Sequence, residues 1–169
     1  SLNFDHKQLL YASVNVSPKL GIFRPTWGFD YSQQFFDTRK YGASKALSKP
    51  LLSCSLDNNF ALSETMNAAI SLNAATSNAD GFLMMKSDYS VDLRFDKSFA
   101  NRTWIIYLSA NDIFKTAKER WTMYGLGSDT IKDCYNYTRS ISLQVTYNFN
   151  AKRSKYKGTG AGNEEKSRL

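Results

Sequence analysis

The chain has 169 residues, 42% hydrophobic, 14% aromatic and 22% charged, with a formal net charge of +7. That length supports one domain with a sizeable core, and that apolar content argues against disorder. No run approaches the ~18 consecutive apolar residues of a spanning helix, and two cysteines rule out a disulfide-dense scaffold. A membrane β-barrel stays open, because its strands alternate and give no hydropathy peak.

Residues 1–7 lack the basic start and apolar run of a signal peptide. With no initiator Met, the chain is expected to be a mature product or a fragment. Seven segments then alternate apolar and polar residues, which puts the two sets on opposite faces of a strand. The first carries Leu10, Ala12, Val14 and Val16. The second carries Phe23, Trp27, Phe29 and Tyr31, and Pro25 predicts a bulge or irregularity in it. The third carries Leu52, Cys54, Leu56 and Phe60 against Ser53, Ser55, Asp57 and Asn59. Met66, Ala68, Ile70, Leu72 and Ala74 make the fourth, and Tyr89, Val91, Leu93 and Phe95 the fifth. Trp104, Ile106, Leu108 and Ala110 make the sixth. The last is the clearest: Ile141, Leu143, Val145, Tyr147 and Phe149 alternate with Ser142, Gln144, Thr146 and Asn148.

These strands run roughly 9–15 residues each, against the ~9–11 a tilted strand needs to cross a bilayer and a mode of ~5–6 in soluble sheets. Short connections at 17–21, 61–64 and 99–102 alternate with long ones at 37–49, 76–87 and 112–138. Outer-membrane barrels segregate their connections this way, with short turns in the periplasm and long loops outside. The expected fold is therefore all-β, made of antiparallel up-and-down transmembrane β-barrel strands. Seven strands do not close a bacterial barrel, which normally has an even count. The chain is thus expected to be the C-terminal portion of a larger barrel, or one strand lies unseen near His6 or Trp121. The organisation is barrel strands over 1–149 and a flexible basic tail over 150–169. That tail holds six Lys and Arg against two Glu, which accounts for +4 of the +7. It hangs in the periplasm by the direction of the last strand. Tyr156 is its only aromatic, so no nucleic-acid partner is expected.

The polar parity supplies lumen-facing candidates: Asn67, Ser71, Asp92, Arg94, Asp96, Tyr107 and Gln144. Asp92, Arg94 and Asp96 form one row, read either as contacts to a plug or substrate, or as a solvated wall paired across strands. Trp121, Tyr124 and Tyr135 fall in the longest loop and are the extracellular ligand candidates. Phe60, Phe99, Trp104, Tyr147 and Phe149 lie near strand ends and suit an interfacial girdle. Cys54 and Cys134 form no C-x-x-C pair and His6 stands alone. No catalytic, cofactor or metal residue is predicted, and no enzyme.

The stretch Leu108-Ser-Ala-Asn-Asp-Ile-Phe114, followed by an aromatic loop and a final alternating strand, resembles the end of a TonB-dependent receptor barrel. More narrowly, it resembles the Bacteroidetes outer membrane protein beta-barrel family. The segments Lys49-Pro-Leu-Leu-Ser-Cys-Ser-Leu56 and Tyr89-Ser-Val-Asp-Leu-Arg-Phe-Asp-Lys-Ser-Phe99 fit that likeness, as does the ending Glu164-Glu165-Lys-Ser-Arg-Leu169. The resemblance implies a receptor-like protein of the cell outer membrane taking up a nutrient or ligand, with no cofactor. It implies outer-membrane lipid, the barrel-assembly machinery, and a plug domain and TonB outside this sequence as partners. It makes Tyr147 and Phe149 the assembly signal. Two other readings stay open: a small non-transport barrel for adhesion or envelope structure, and a soluble β-sandwich binding module.

Overall fold

The structure, a computed structural model, describes residues 7–125 and 127–149. The predicted tail over 150–169 and His6 lie outside these. Every expected segment is a strand: β1 (Gln8–Val16), β2 (Phe23–Phe35), β3 (Leu51–Ser63) and β4 (Met66–Ala75) come first. Two short strands follow, β5 (Asn78–Asp80) and β6 (Leu83–Met85), then β7 (Asp88–Phe99) and β8 (Trp104–Asn111). β9 (Lys118–Tyr124), β10 (Asp129–Tyr135) and β11 (Ser140–Tyr147) are the last strands among the described residues.

The seven expected strands form one antiparallel meander in the order β1-β2-β3-β4-β7-β8-β11. Its register keeps parity from edge to edge. Val14 stands opposite Phe29, Phe29 opposite Cys54, Cys54 opposite Ala74, and Ala74 opposite Tyr89. Lower down, Phe60, Ala68, Phe95, Leu108 and Leu143 make one continuous row. A one-residue slip at any ladder would turn a whole strand's apolar set to the other side. The shift between Ala61 and Ser63 lies beside the β3–β4 turn, so along the rest of the ladders one face stays predominantly apolar.

That face is not covered by protein. Ile141 is 80% exposed, Leu143 66% and Val14 60%. Among the described residues the buried apolar side chains are Pro25, Ala43, Leu47, Ala69 and Ala79. Fully burying a Leu or Ile contributes about 1.5–3 kcal/mol, and soluble monomers rarely leave an apolar patch beyond a few hundred Å² in water. A sheet that leaves its large residues outside is built for a solvent that is itself apolar.

Four polar residues interrupt the apolar parity, Gln8, Gln33, Asn58 and Lys97, and Gln33 accepts from the Tyr31 hydroxyl at 2.6 Å. Asn58 Oδ1 accepts from Trp27 Nε1 at 3.0 Å, and its amide reaches the Leu56 and Ile70 carbonyls. Lys97 donates to Thr65 Oγ1 at 3.1 Å, with its ammonium 5.7 Å from the Phe99 ring centroid. It therefore stretches toward the short-turn end, as a lysine does when its stem lies along apolar surface.

Three expectations are corrected. Pro25 makes no bulge, since β2 and β3 stay in register from Phe23↔Phe60 to Ser32↔Leu51. Pro25 lies beyond the last β1–β2 pair, Val16↔Trp27, so its missing N–H costs no ladder bond to β1. The irregularity falls instead between Ala61 and Ser63, next to the β3–β4 turn. The loops over 76–87 and 112–138 are not irregular: they hold β5, β6, β9 and β10, a second sheet in the order β10-β9-β6-β5. Consequently Trp121, Tyr124 and Tyr135 are strand residues and not loop residues. β1 and β11 are the free edges of the large sheet, which is not closed.

Candidate functional site

The lumen-facing candidates all fall on the polar parity of the large sheet. Asn67, Asp96, Tyr107 and Gln144 stand in one row across four strands. Ser71 faces Asp92 four residues further along the same β4–β7 ladder. Their partners are mostly neutral groups. Asn67 Nδ2 donates to Asp96 Oδ2 at 2.7 Å, Arg94 Nη2 to Asn59 Oδ1 at 3.1 Å, and Ser71 to Asp57. Asp92 Oδ1 accepts from the Asp112 backbone N–H at 2.7 Å. Asp92 and Asp96 thus knit neighbouring segments by hydrogen bonds, and Arg94 reaches across β4 to β3. Gly28 gives this face its closest approach: a Cβ there would lie 2.8 Å from Asn15 Oδ1 and 2.9 Å from Ser55 Oγ.

The second sheet is assembled from two different connections. β6 pairs with β9 at Leu83↔Met123, Met84↔Thr122 and Met85↔Trp121. Two backbone bonds extend the ladder, Lys86 N–H to Arg120 O and Tyr124 N–H to Phe82 O, both 2.9 Å. The third long connection, 36–50, is tied to the same body. Gln34, near the end of β2, donates to Leu47 O at 3.0 Å and bonds reciprocally with Gly81 through the same amide. Phe82 packs edge-on to Phe36, and the Lys45 ammonium lies 5.4 Å from the Tyr124 ring centroid. That connection carries a short 3-10 helix, Thr38–Tyr41, started by the Asp37 side chain and ended by Gly42 in the left-handed region. Buried Thr38 donates to Lys45 O and accepts from Leu47 N–H, closing the segment. The three long connections therefore make one cap at one end of the sheet.

Two carboxylates organise the cap, and sequence reasoning singled out neither. Asp112 follows β8 directly, with φ 45° and 1% exposure. Its Oδ1 accepts from Thr116 N–H at 2.8 Å and Ala117 N–H at 3.2 Å, and Oδ2 from Thr138 Oγ1 at 2.7 Å. It thus joins the exit of β8, the approach to β9 and the entry to β11. Burial pushes its carboxyl up, but the bonds from Thr138, Thr116, Ala117 and Tyr135 outweigh this and hold it at about 2. Glu119 on β9 accepts from Lys132 Nζ at 2.6 Å, Trp121 Nε1 at 3.0 Å and Asn136 Nδ2 at 3.1 Å. Those bonds, Lys132 first, hold its carboxyl at about 2 and push the Lys132 ammonium up. Thus Trp121 and Tyr135, proposed as ligand contacts, also brace the two carboxylates. Cys54 and Cys134 are both free thiols.

A cavity of about 830 Å³ opens between the cap and the polar face. Ser32, Leu51 and Ala75 form its floor, and Leu83, Met85, Glu119 and Trp121 its roof. The size is that of a small-molecule site, and its lining combines apolar residues with charged ones such as Lys7, Asp80, Lys86, Lys118 and Arg120. Of the three aromatic ligand candidates, Trp121 lines it; Tyr124 and Tyr135 do not. A second cavity of about 310 Å³ adjoins it and shares Asp88, Lys118 and Arg120.

The opposite end of the sheet has a different character. Phe23 stacks on Phe60 at 5.0 Å, Trp104 meets Tyr147 at 4.5 Å, and Phe149 meets Tyr147 edge-on at 4.5 Å. Phe99 pairs with Trp104 across the β7–β8 turn. These aromatics form one band at the short-turn end, where an interfacial girdle belongs.

A profile of the outer membrane protein beta-barrel family matches residues 1–147. The alternating seven-strand meander with segregated turns and loops is such a barrel's wall, and the chain belongs to this family. Its place is the outer membrane. A search of curated proteins found no match, and neither did a search of solved structures.

Proposed function

We propose that this chain is the ligand-receiving part of a receptor-like outer-membrane transporter of the TonB-dependent kind. The observation that carries the reading is the cap: three connections fold into one body over a cavity on the polar face. A barrel serving envelope structure alone has no need of such a roofed cavity. On this reading the ligand enters under Trp121 and Met85 from outside the cell. It then passes along the polar face, where Asp92, Arg94 and Asp96 offer exchangeable hydrogen bonds. A plug domain would occupy the lumen, and TonB would supply inner-membrane energy to move it. On the same reading Tyr147, the last residue of β11, and Phe149, two residues beyond it, form the signal the barrel-assembly machinery reads. Uptake of a nutrient too large for porins is the reaction class, with no covalent chemistry.

Two measurements on cells making the full-length protein test this. The first uses a Cys134→Ser background and a membrane-impermeant maleimide. Ile131→Cys, on the cap and 71% exposed, labels in intact cells, and Asn101→Cys in the β7–β8 turn labels only after lysis. The second deletes 118–135. The barrel still resists unfolding in unboiled gel samples, while growth on the transported nutrient is lost. A strain that grows on every nutrient its parent uses after this deletion is not relying on a transporter here, and the envelope-structure reading replaces it.

A further inference from the structure

We infer that the smaller cavity holds an anionic oxygen group, of the phosphate class, carried by the ligand that enters the larger one. This rests on reading the larger cavity as the ligand site. The smaller cavity is lined by Lys115, Lys118 and Arg120 against one carboxylate, Asp88. Lys118 and Arg120 are two apart on β9, so they share a face of the cap sheet. The guanidinium of Arg120 is held in place: Nη2 donates to Ser87 O at 2.6 Å. Its Nε is buried and without a partner among the described residues, so the protein does not satisfy the group's donors. Lys115 stands at 5.1 Å from the Tyr135 ring centroid, on the segment that Asp112 orders.

The neighbouring acids are engaged elsewhere: Asp112 lies behind Thr116, lines neither cavity and is taken up by Thr116, Ala117 and Thr138. Asp80 is bound by Lys7 at 2.9 Å and Glu119 by Lys132 at 2.6 Å. Asp133 stands opposite Arg120 in the β9–β10 ladder but is exposed and lines neither cavity. Three cations against Asp88 leave a surplus of two positive charges beside a cavity large enough for the rest of the molecule. A guanidinium fork with two ammonium groups matches a tetrahedral oxyanion, to which arginine binds by paired N–H donors and lysine as a point charge.

The test titrates inorganic phosphate into the purified full-length protein in nonionic detergent at low salt, followed by phosphorus NMR. The expected result is saturable binding that weakens as salt is raised. Lys118→Gln and Arg120→Gln each weaken it by about tenfold, the lower range for losing a hydrogen bond between charged groups. Lys40→Gln, on the 3-10 helix and lining neither cavity, leaves it unchanged. Arg120→Gln also loses the Ser87 anchor, so Lys118→Gln decides. Repeating the titration in vesicles separates two sources of the anion. Equal binding in phosphatidylcholine and in phosphatidylglycerol vesicles supports a soluble ligand. Loss in phosphatidylglycerol alone assigns the site to a lipid headgroup and overturns the proposal. Unsaturable binding, or a Lys118→Gln variant that binds like the native protein, also overturns it. If the cap still labels from outside the cell in that case, ligand capture stands and only the anionic character of the ligand is lost.

Discussion

Arginine in place of Leu93 destabilises the barrel in a bilayer by about 2–4 kcal/mol, the cost of a cation on the lipid face near the midplane. Leu93 lies midway along β7, in the row Ile70, Leu93, Ala110 on the uncovered apolar face. The next residue is already an arginine. Arg94 sits at the same depth on the opposite face, where Asn59 accepts its hydrogen bond. The two positions differ only in which side of the sheet they meet, so the pair isolates the solvent on each side. Lys97 does not contradict this, because it lies four residues nearer the turn and reaches Thr65 there. Asn73→Arg, on the polar face opposite Ser55 and Ser90, is the control and costs under about 1 kcal/mol. Tryptophan fluorescence during urea-dependent folding into phosphatidylcholine vesicles measures both. Equal costs at the two positions would mean that the apolar face does not meet lipid.

The large sheet was legible because strand side chains alternate with period two, and each of its strands is long enough to show several repeats. The pattern needed no knowledge of partners, and the register then aligned apolar with apolar at every ladder. Asn58 was the visible gap in β3, and only the neighbouring strand explains it, through Trp27. The cap was not legible for the converse reason. β5 and β6 are three residues each, too short for any period. β6 finds its main partner in β9, with Met84 facing Thr122 from a different connection. Lys-Glu-Arg-Trp on β9 carries no apolar alternation, so it resembles a solvated loop until β6 and β10 flank it. Asp112 appeared only as a letter in the motif ending β8. Its burial depends on Thr116, Ala117 and Thr138, of which the last is 26 residues away. The polar face was thus readable as a face, while the cavity above it depended on pairings between distant segments.

Acid loosens the cap before it disturbs the barrel wall. The Asp112 and Glu119 carboxyls are both held at about 2, below their ordinary values of 3.8 and 4.5. A carboxyl whose folded value is depressed stabilises the fold above its ordinary value, and that contribution is lost as pH falls toward the folded value. The window is therefore from about pH 4.5 down to about 2. Protonation at Asp112 removes the charge that holds Thr116, Ala117 and Thr138, and protonation at Glu119 releases Lys132 and Trp121. Hydrogen exchange across 113–139 speeds up through this window, while amides of β3, β4 and β7 keep their protection in the sheet ladders. Asp112→Ala produces the same loosening at neutral pH, with exchange in 113–139 faster by about tenfold or more, since two backbone donors lose their acceptor together. Asp112→Asn is milder, because asparagine tolerates the left-handed backbone there and keeps one acceptor oxygen. Combined with Glu119→Gln, it flattens the pH response. A double variant that still loosens between pH 4.5 and 2 would place the acid-sensitive group elsewhere in the cap.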